Sequence, residues 1–136
     1  MAIAYNNFST EKVFGNEEVN IICNNIYETI LEKFTSSTVN TDFAITGTVA
    51  KIIQGAALED IVVMPFITNN SSMLNFVLNE LPEKVNALGA VKLTDRVQLF
   101  FNNIYVEIWY NAAIGTLNTV SNLRVQATAD IPLYIN

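Results

Sequence analysis

The sequence predicts an α/β (α+β) domain in which a small mixed sheet carries helices packed on it, and three stretches make that prediction. Residues 17–34 hold apolar side chains at helical spacing, Ile61-Val62-Val63-Met64 is a compact β-branched run, and 97–110 alternates on either side of Asn102-Asn103. A long helix, a buried strand and a hairpin within 136 residues suit one ordinary core, which buries about two-thirds of the unfolded surface. The expected division is an N-terminal arm, residues 1–16, followed by a single globular domain, residues 17–136.

The arm has few periodic apolar positions and ends at Gly15. Asn16 is placed to cap the helix, with Glu17 and Glu18 in its first turn. Val19, Ile22, Ile26 and Ile30 form one row and Cys23, Tyr27, Leu31 and Phe34 the next, while Asn20, Asn24, Glu28 and Glu32 run along the other side. The polar run Thr35–Thr38 ends this helix. Asp42–Thr46 reads as a short strand closed by Gly47, and Val49–Gln54 as a helix closed by Gly55. The run 61–64 reads as a central strand bounded by Pro65. Asn70 caps a second long helix, and Pro82 kinks it or restarts a short helix ending near Gly89. In the hairpin, period two places Ile104, Val106, Ile108 and Tyr110 on one face, and Tyr105, Glu107 and Trp109 on the other, so Glu107 is an acid among aromatics. Beyond Asn111 two readings stay open for 114–123, short helix or loop, while 125–128 and 131–135 read as edge strands.

Composition excludes several kinds of chemistry. There is no His, which removes the commonest general base and zinc ligand and rules out serine–histidine and cysteine–histidine hydrolases. The single cysteine, Cys23, allows no internal disulfide. Five Lys and two Arg against 13 acids give a net charge of −6 and a pI near 4.4, with no basic stripe to neutralise a phosphate backbone, so strong nucleic-acid binding is not expected. Apolar residues make up 51% and charged residues only 15%, below the usual quarter or so. Asn, Ser and Thr supply the polar surface instead. An AT-rich genome accounts for that usage; so does burial against other subunits, since charges are depleted from interface cores. The N-terminus has neither a basic start nor a long apolar run, and no stretch approaches the ~20 apolar residues that span a bilayer. The expectation is a cytoplasmic protein, or part of a particle assembled in the cytoplasm, without membrane association.

One constellation carries a resemblance. Ile45-Thr46-Gly47-Thr48 precedes a helix, Asp60-Ile61-Val62-Val63 follows thirteen positions beyond Gly47, then come a long helix and a hairpin whose second strand holds Glu107. This order, over residues 17–110, resembles the core of the nucleotidyltransferase (polymerase-beta-like) superfamily, whose signature is a Gly-Ser or Gly-Gly turn followed by an Asp-x-Asp strand. The resemblance implies that Gly47 and Thr48 contact nucleotide phosphates through a glycine turn at a helix start. It implies that Asp60 and Glu107 are catalytic, metal-holding acids, with Mg²⁺ as cofactor if the chain is an enzyme. Val62 stands where the second acid of the motif belongs, and Glu59 points to the opposite side of a strand. Two-metal chemistry with a separation of about 3.5–4 Å normally needs bridging carboxylates.

Plain structural readings of the same residues stand beside this one. Asp60 suits a turn or cap and Gly47 the end of a strand, and the element order also fits other α/β arrangements or an α+β sandwich. Tyr105, Trp109 and Phe100 suit core or interface better than a base-stacking platform, which would want Lys or Arg beside it. The expected function is a catalytically degenerate nucleotidyltransferase-like domain acting as a binding or structural assembly subunit, a homo-oligomer or a partner in a virion or other large particle. The alternative is an active, divergent metal-dependent nucleotidyltransferase using Asp60 and Glu107.

Overall fold

A computed structural model describes residues 17–57, 62–102, 104–120 and 123–135. The arm, Glu59, Asp60, Ile61 and Asn103 lie outside them. Among the described residues, seven strands form one mixed sheet with five helices packed on it, an α+β architecture.

Helix α1 (Glu17–Lys33) buries Val19, Cys23, Ile26, Tyr27 and Ile30, the stripe its spacing predicts. Asn20 departs from the expectation: it is only 3% exposed, so the polar row begins beyond it. The run Thr35–Thr38 does more than end α1. Thr35 Oγ1 accepts the Thr38 N–H at 3.2 Å and so caps α2 (Ser36–Asp42), which leaves a strand of three residues, β1 (Phe43–Ile45), where five were expected. α3 (Gly47–Ile53) follows, starting two residues earlier than its apolar residues suggest.

Strand β2 (Val63–Thr68) is buried throughout and runs through Pro65, which the sequence reading took as its boundary. The Pro65 carbonyl accepts from Thr46 N–H at 3.0 Å, but the Thr46 carbonyl is already taken by Ala50 N–H at 3.3 Å as α3 begins. A ladder N–H at position 65 would therefore have no acceptor on that side, and proline's missing donor costs little there. Val62 is also corrected: it precedes the strand and is 63% exposed, so it is not core.

Asn70 Oδ1 accepts from Ser72 N–H at 3.0 Å and Met73 N–H at 3.1 Å, capping α4 (Ser71–Asn79) as expected. Pro82 sits in the first turn of the separate helix α5 (Leu81–Lys84), which stops short of Gly89. Gly89 instead opens β3 (Gly89–Lys92), a strand not foreseen because almost all of it is exposed. β4 (Arg96–Phe100) and β5 (Tyr105–Tyr110) make the expected hairpin, with Phe100 opposite Tyr105 and Phe101 N–H donating to Ile104 O at 3.0 Å. The region 114–123 is neither helix nor plain loop: β6 (Leu117–Val120) and β7 (Leu123–Gln126) pair there. β7 is not an edge strand, since it also runs parallel to β1, and 131–135 forms no strand.

The strand order is β3-β4-β5-β2-β1-β7-β6, with β2 parallel to β5 and antiparallel to β1. All five helices contribute to one core with the inward residues Phe43, Ile45, Met64, Phe66, Val97, Leu99, Val106, Ile108 and Val125. Tyr27 meets Phe43 and Phe66 edge-on at 5.2 and 5.4 Å inside it. The second face carries a smaller cluster, in which Ile114 and Ile135 cover Ala44, Ile67 and Trp109.

Candidate functional site

Alternation along the strands decides which side chains meet on the second face. Thr46 follows β1, Pro65 lies beside it on β2, and Pro65 is in register with Glu107 on β5. The turn at Gly47 and Glu107 thus share a row, about two strand spacings or ~10 Å apart. Thr48 is half-buried at the start of α3. Gly47 is buried with φ at 64°, a left-handed conformation that a β-carbon would strain. Asp60 lies outside the described residues, and Glu107 is the implied acid that the described residues place in this row.

Glu107 is 7% exposed and occupied by its own chain. Its Oε2 accepts from Gln98 Nε2 at 2.7 Å and its Oε1 from Trp109 Nε1 at 3.1 Å. Gln98 is its cross-strand partner and Trp109 its neighbour two residues along, so the pleat alone brings the three side chains together. Arg96 adds a long contact, Nε to Oε2 at 4.0 Å, while its guanidinium carbon lies 4.3 Å over the Trp109 ring and its Nη1 bonds Asp95 at 3.0 Å. Tyr134 also packs against the indole, with ring centroids 5.4 Å apart. A buried carboxylate with two donors is satisfied where it stands. A cation binding there would have to share both oxygens with those donors.

At the other end of the row, the Thr46 hydroxyl donates to Gln126 Oε1 at 2.5 Å instead of capping α3. Gln126 Nε2 donates to the Ile114 carbonyl at 3.0 Å, and Gln54 Nε2 donates to the Gln126 carbonyl at 2.8 Å. Asn118 Nδ2 extends the chain to Gln54 Oε1 at 3.0 Å. This network fixes the segment that covers the second face, and it uses the polar groups nearest the glycine turn for structure.

Gln98 was legible in the sequence, because a turn at Asn102-Asn103 sets it opposite Glu107. Thr46 with Gln126 was not, since 80 residues separate them. Elsewhere, an open groove of about 290 Å³ lies between α1 and α5, lined by Asn25, Glu28, Glu32, Lys84 and Asn86. Its walls come from α1, α5 and the turn after α5, away from Glu107. Cys23 is fully buried in the main core, and desolvation pushes its thiol pKa up. No protein-family model, curated protein or solved structure matches the chain.

Proposed function

We propose that this chain is a binding or assembly subunit built on a nucleotidyltransferase-like core in which catalysis has been lost. The observation that carries the reading is the state of Glu107, whose two oxygens accept hydrogen bonds from Gln98 and Trp109. An acid kept for metal chemistry leaves its lone pairs to cations and water. Here the acid ties an indole and an amide to the sheet. Val62 in place of the second motif acid, and a charged share of 15%, support the same reading. Light scattering on the purified chain, with affinity capture from its native source, provides the test. A multimer or a stoichiometric partner is expected. A strict monomer with no partner would overturn the proposal.

The row that joins the Gly47 turn to Glu107 favours a second reading, a divergent metal-dependent nucleotidyltransferase. It predicts that Mg²⁺ or Mn²⁺ with a nucleoside triphosphate raises the melting temperature, and that Asp60→Asn abolishes the rise. No shift with any of the four triphosphates is the outcome expected for an assembly subunit.

A further inference from the structure

We infer that strand β3 is the contact through which one copy of this chain pairs with a second, edge to edge and antiparallel. The inference rests on the assembly reading and names its partner. Among the described residues β3 ends the sheet, and the hydrogen-bond pattern shows which backbone groups it leaves outward. Leu93 N–H donates to Arg96 O at 2.9 Å, so odd positions face β4 and the N–H and C=O of Ala90 and Lys92 face away. Leu88 cannot add to that set, because its N–H already donates to Phe100 O at 2.8 Å. Such a row of outward groups specifies another extended strand as occupant.

A second copy meets this specification in one register. Centring the two-fold axis on Val91 pairs Ala90 with the partner's Lys92 and Lys92 with the partner's Ala90, forming about four backbone bonds by the antiparallel rule. Any register using Leu88 loses donors. On the second face, the same register sets Val91 against the partner's Val91 and Leu93 against the partner's Gly89. Gly89 leaves a hole for that leucine, with Phe100 as its floor: a β-carbon at 89 would lie 3.7 Å from Phe100 Cδ2. Charge points the same way. On a chain of net charge −6, β3 carries one Lys and no acid, so two copies meet there with less repulsion than elsewhere. In this register Lys92 faces alanine rather than its own copy.

Exposed apolar side chains crowd this edge: Leu88 is 71% exposed, Val91 40% and Leu93 37%. Covering them with Ala90 and Lys92 removes on the order of 800 Å² in total, below the ~1,200 Å² at which stable interfaces begin. The pair is therefore weak by itself and persists where neighbouring contacts hold copies side by side.

Sedimentation velocity of the whole chain from micromolar to millimolar concentration tests this. The wild type is expected to show a reversible monomer–dimer equilibrium. Ala90→Pro deletes one outward N–H without touching the β3–β4 ladder, and Val91→Lys places like charges on the two-fold axis. Each is expected to weaken the dimer about tenfold or more at an unchanged melting temperature. If Ala90→Pro shifts the melt, Val91→Lys alone decides. A wild type that stays monomeric throughout overturns the edge pairing, and Lys92 is then a guard against it. A wild type that associates while neither variant weakens it also overturns the pairing, yet leaves the assembly reading standing.

Discussion

Replacing Glu107 separates a structural acid from a catalytic one by the sign of the stability change. In Glu107→Gln, the new amide can present its oxygen to Trp109 Nε1, and Gln98 can turn its own amide to offer an oxygen in return, so both contacts survive as neutral bonds. Losing charge assistance costs roughly 1 kcal/mol per bond, partly offset because no charge is buried any longer. The expected net loss is about 1 kcal/mol. Glu107→Ala is different. It strands the indole N–H of Trp109, which is 8% exposed, at about 1–3 kcal/mol, and removes one packed methylene worth about 1 more. Gln98 is half-buried and recovers water. The long Arg96 contact adds little at 4.0 Å. Together these give about 3 kcal/mol. For a domain of this size each kcal/mol moves the melting temperature by roughly 3–4 °C, so calorimetry should show a fall of about 10 °C for Ala and about 3 °C for Gln. Acids retained for function at the expense of stability behave oppositely, and removing them leaves the melt unchanged or raises it. A rise on Glu107→Ala, or equal losses for the two variants, would refute the structural role.

Three further outcomes follow from single contacts. Gly115→Ala is expected to cost about 2–3 kcal/mol in a urea titration, because φ is +68° and a β-carbon would come within 2.5 Å of Asp130 Cγ, displacing the carboxylate from Thr116 N–H; adding Asp130→Ala should relieve only part of that clash, since the β-carbon alanine keeps at 130 would still lie 2.8 Å away. Asn70→Ala is expected to lower the unfolding free energy by about 1–2 kcal/mol, read as a lower urea midpoint at constant slope, since Asn70 caps α4 and also donates to Asp42 Oδ2 at 2.9 Å, whereas Asn70→Asp keeps the cap but not that donor. Cys23 should react with a maleimide only as fast as the protein opens, and fully in denaturant; rapid labelling of the native chain would contradict the burial that raises its pKa.

The parts of the fold that sequence periodicity exposes are those that bury one regular face. α1 and the β4–β5 hairpin do so, and the alternation at Tyr105, Glu107 and Trp109 placed the acid on the correct side, while Gln98, which the Asn102-Asn103 turn sets opposite it, was missed. β3 and β6 bury almost nothing, so they leave no periodic signal, and their pairing is set by strands that sit against them. Pro65 misled for a related reason: its effect depends on whether a neighbouring acceptor exists, and that is decided by Thr46 turning into α3. The Thr46–Gln126 contact needed the parallel pairing of β1 with β7, which local sequence does not encode. At the candidate site, residue types were legible but their occupancy was not, because a free carboxylate and one holding an indole N–H look alike in sequence.

The two faces of the sheet are sealed by different physics, and this bears on where another chain can attach. The helical face excludes water with aromatic and aliphatic packing from all five helices. The second face is covered by short irregular segments around Ile114 and Ile135, which bury too little surface to hold themselves down. Directional bonds make up the difference, from Gln126 to the Ile114 carbonyl and from Trp109 to Glu107. That cover stops near Trp109, and beyond it Gln98 and Phe100 stay half-buried and Val91 exposed, running without interruption to the free edge of β3. Glu107 stands at the boundary between the covered and open halves. Its bonds to Trp109 and Gln98 hold both side chains at that boundary, and in the edge pairing inferred above they leave the open half little rearrangement to make on receiving a strand.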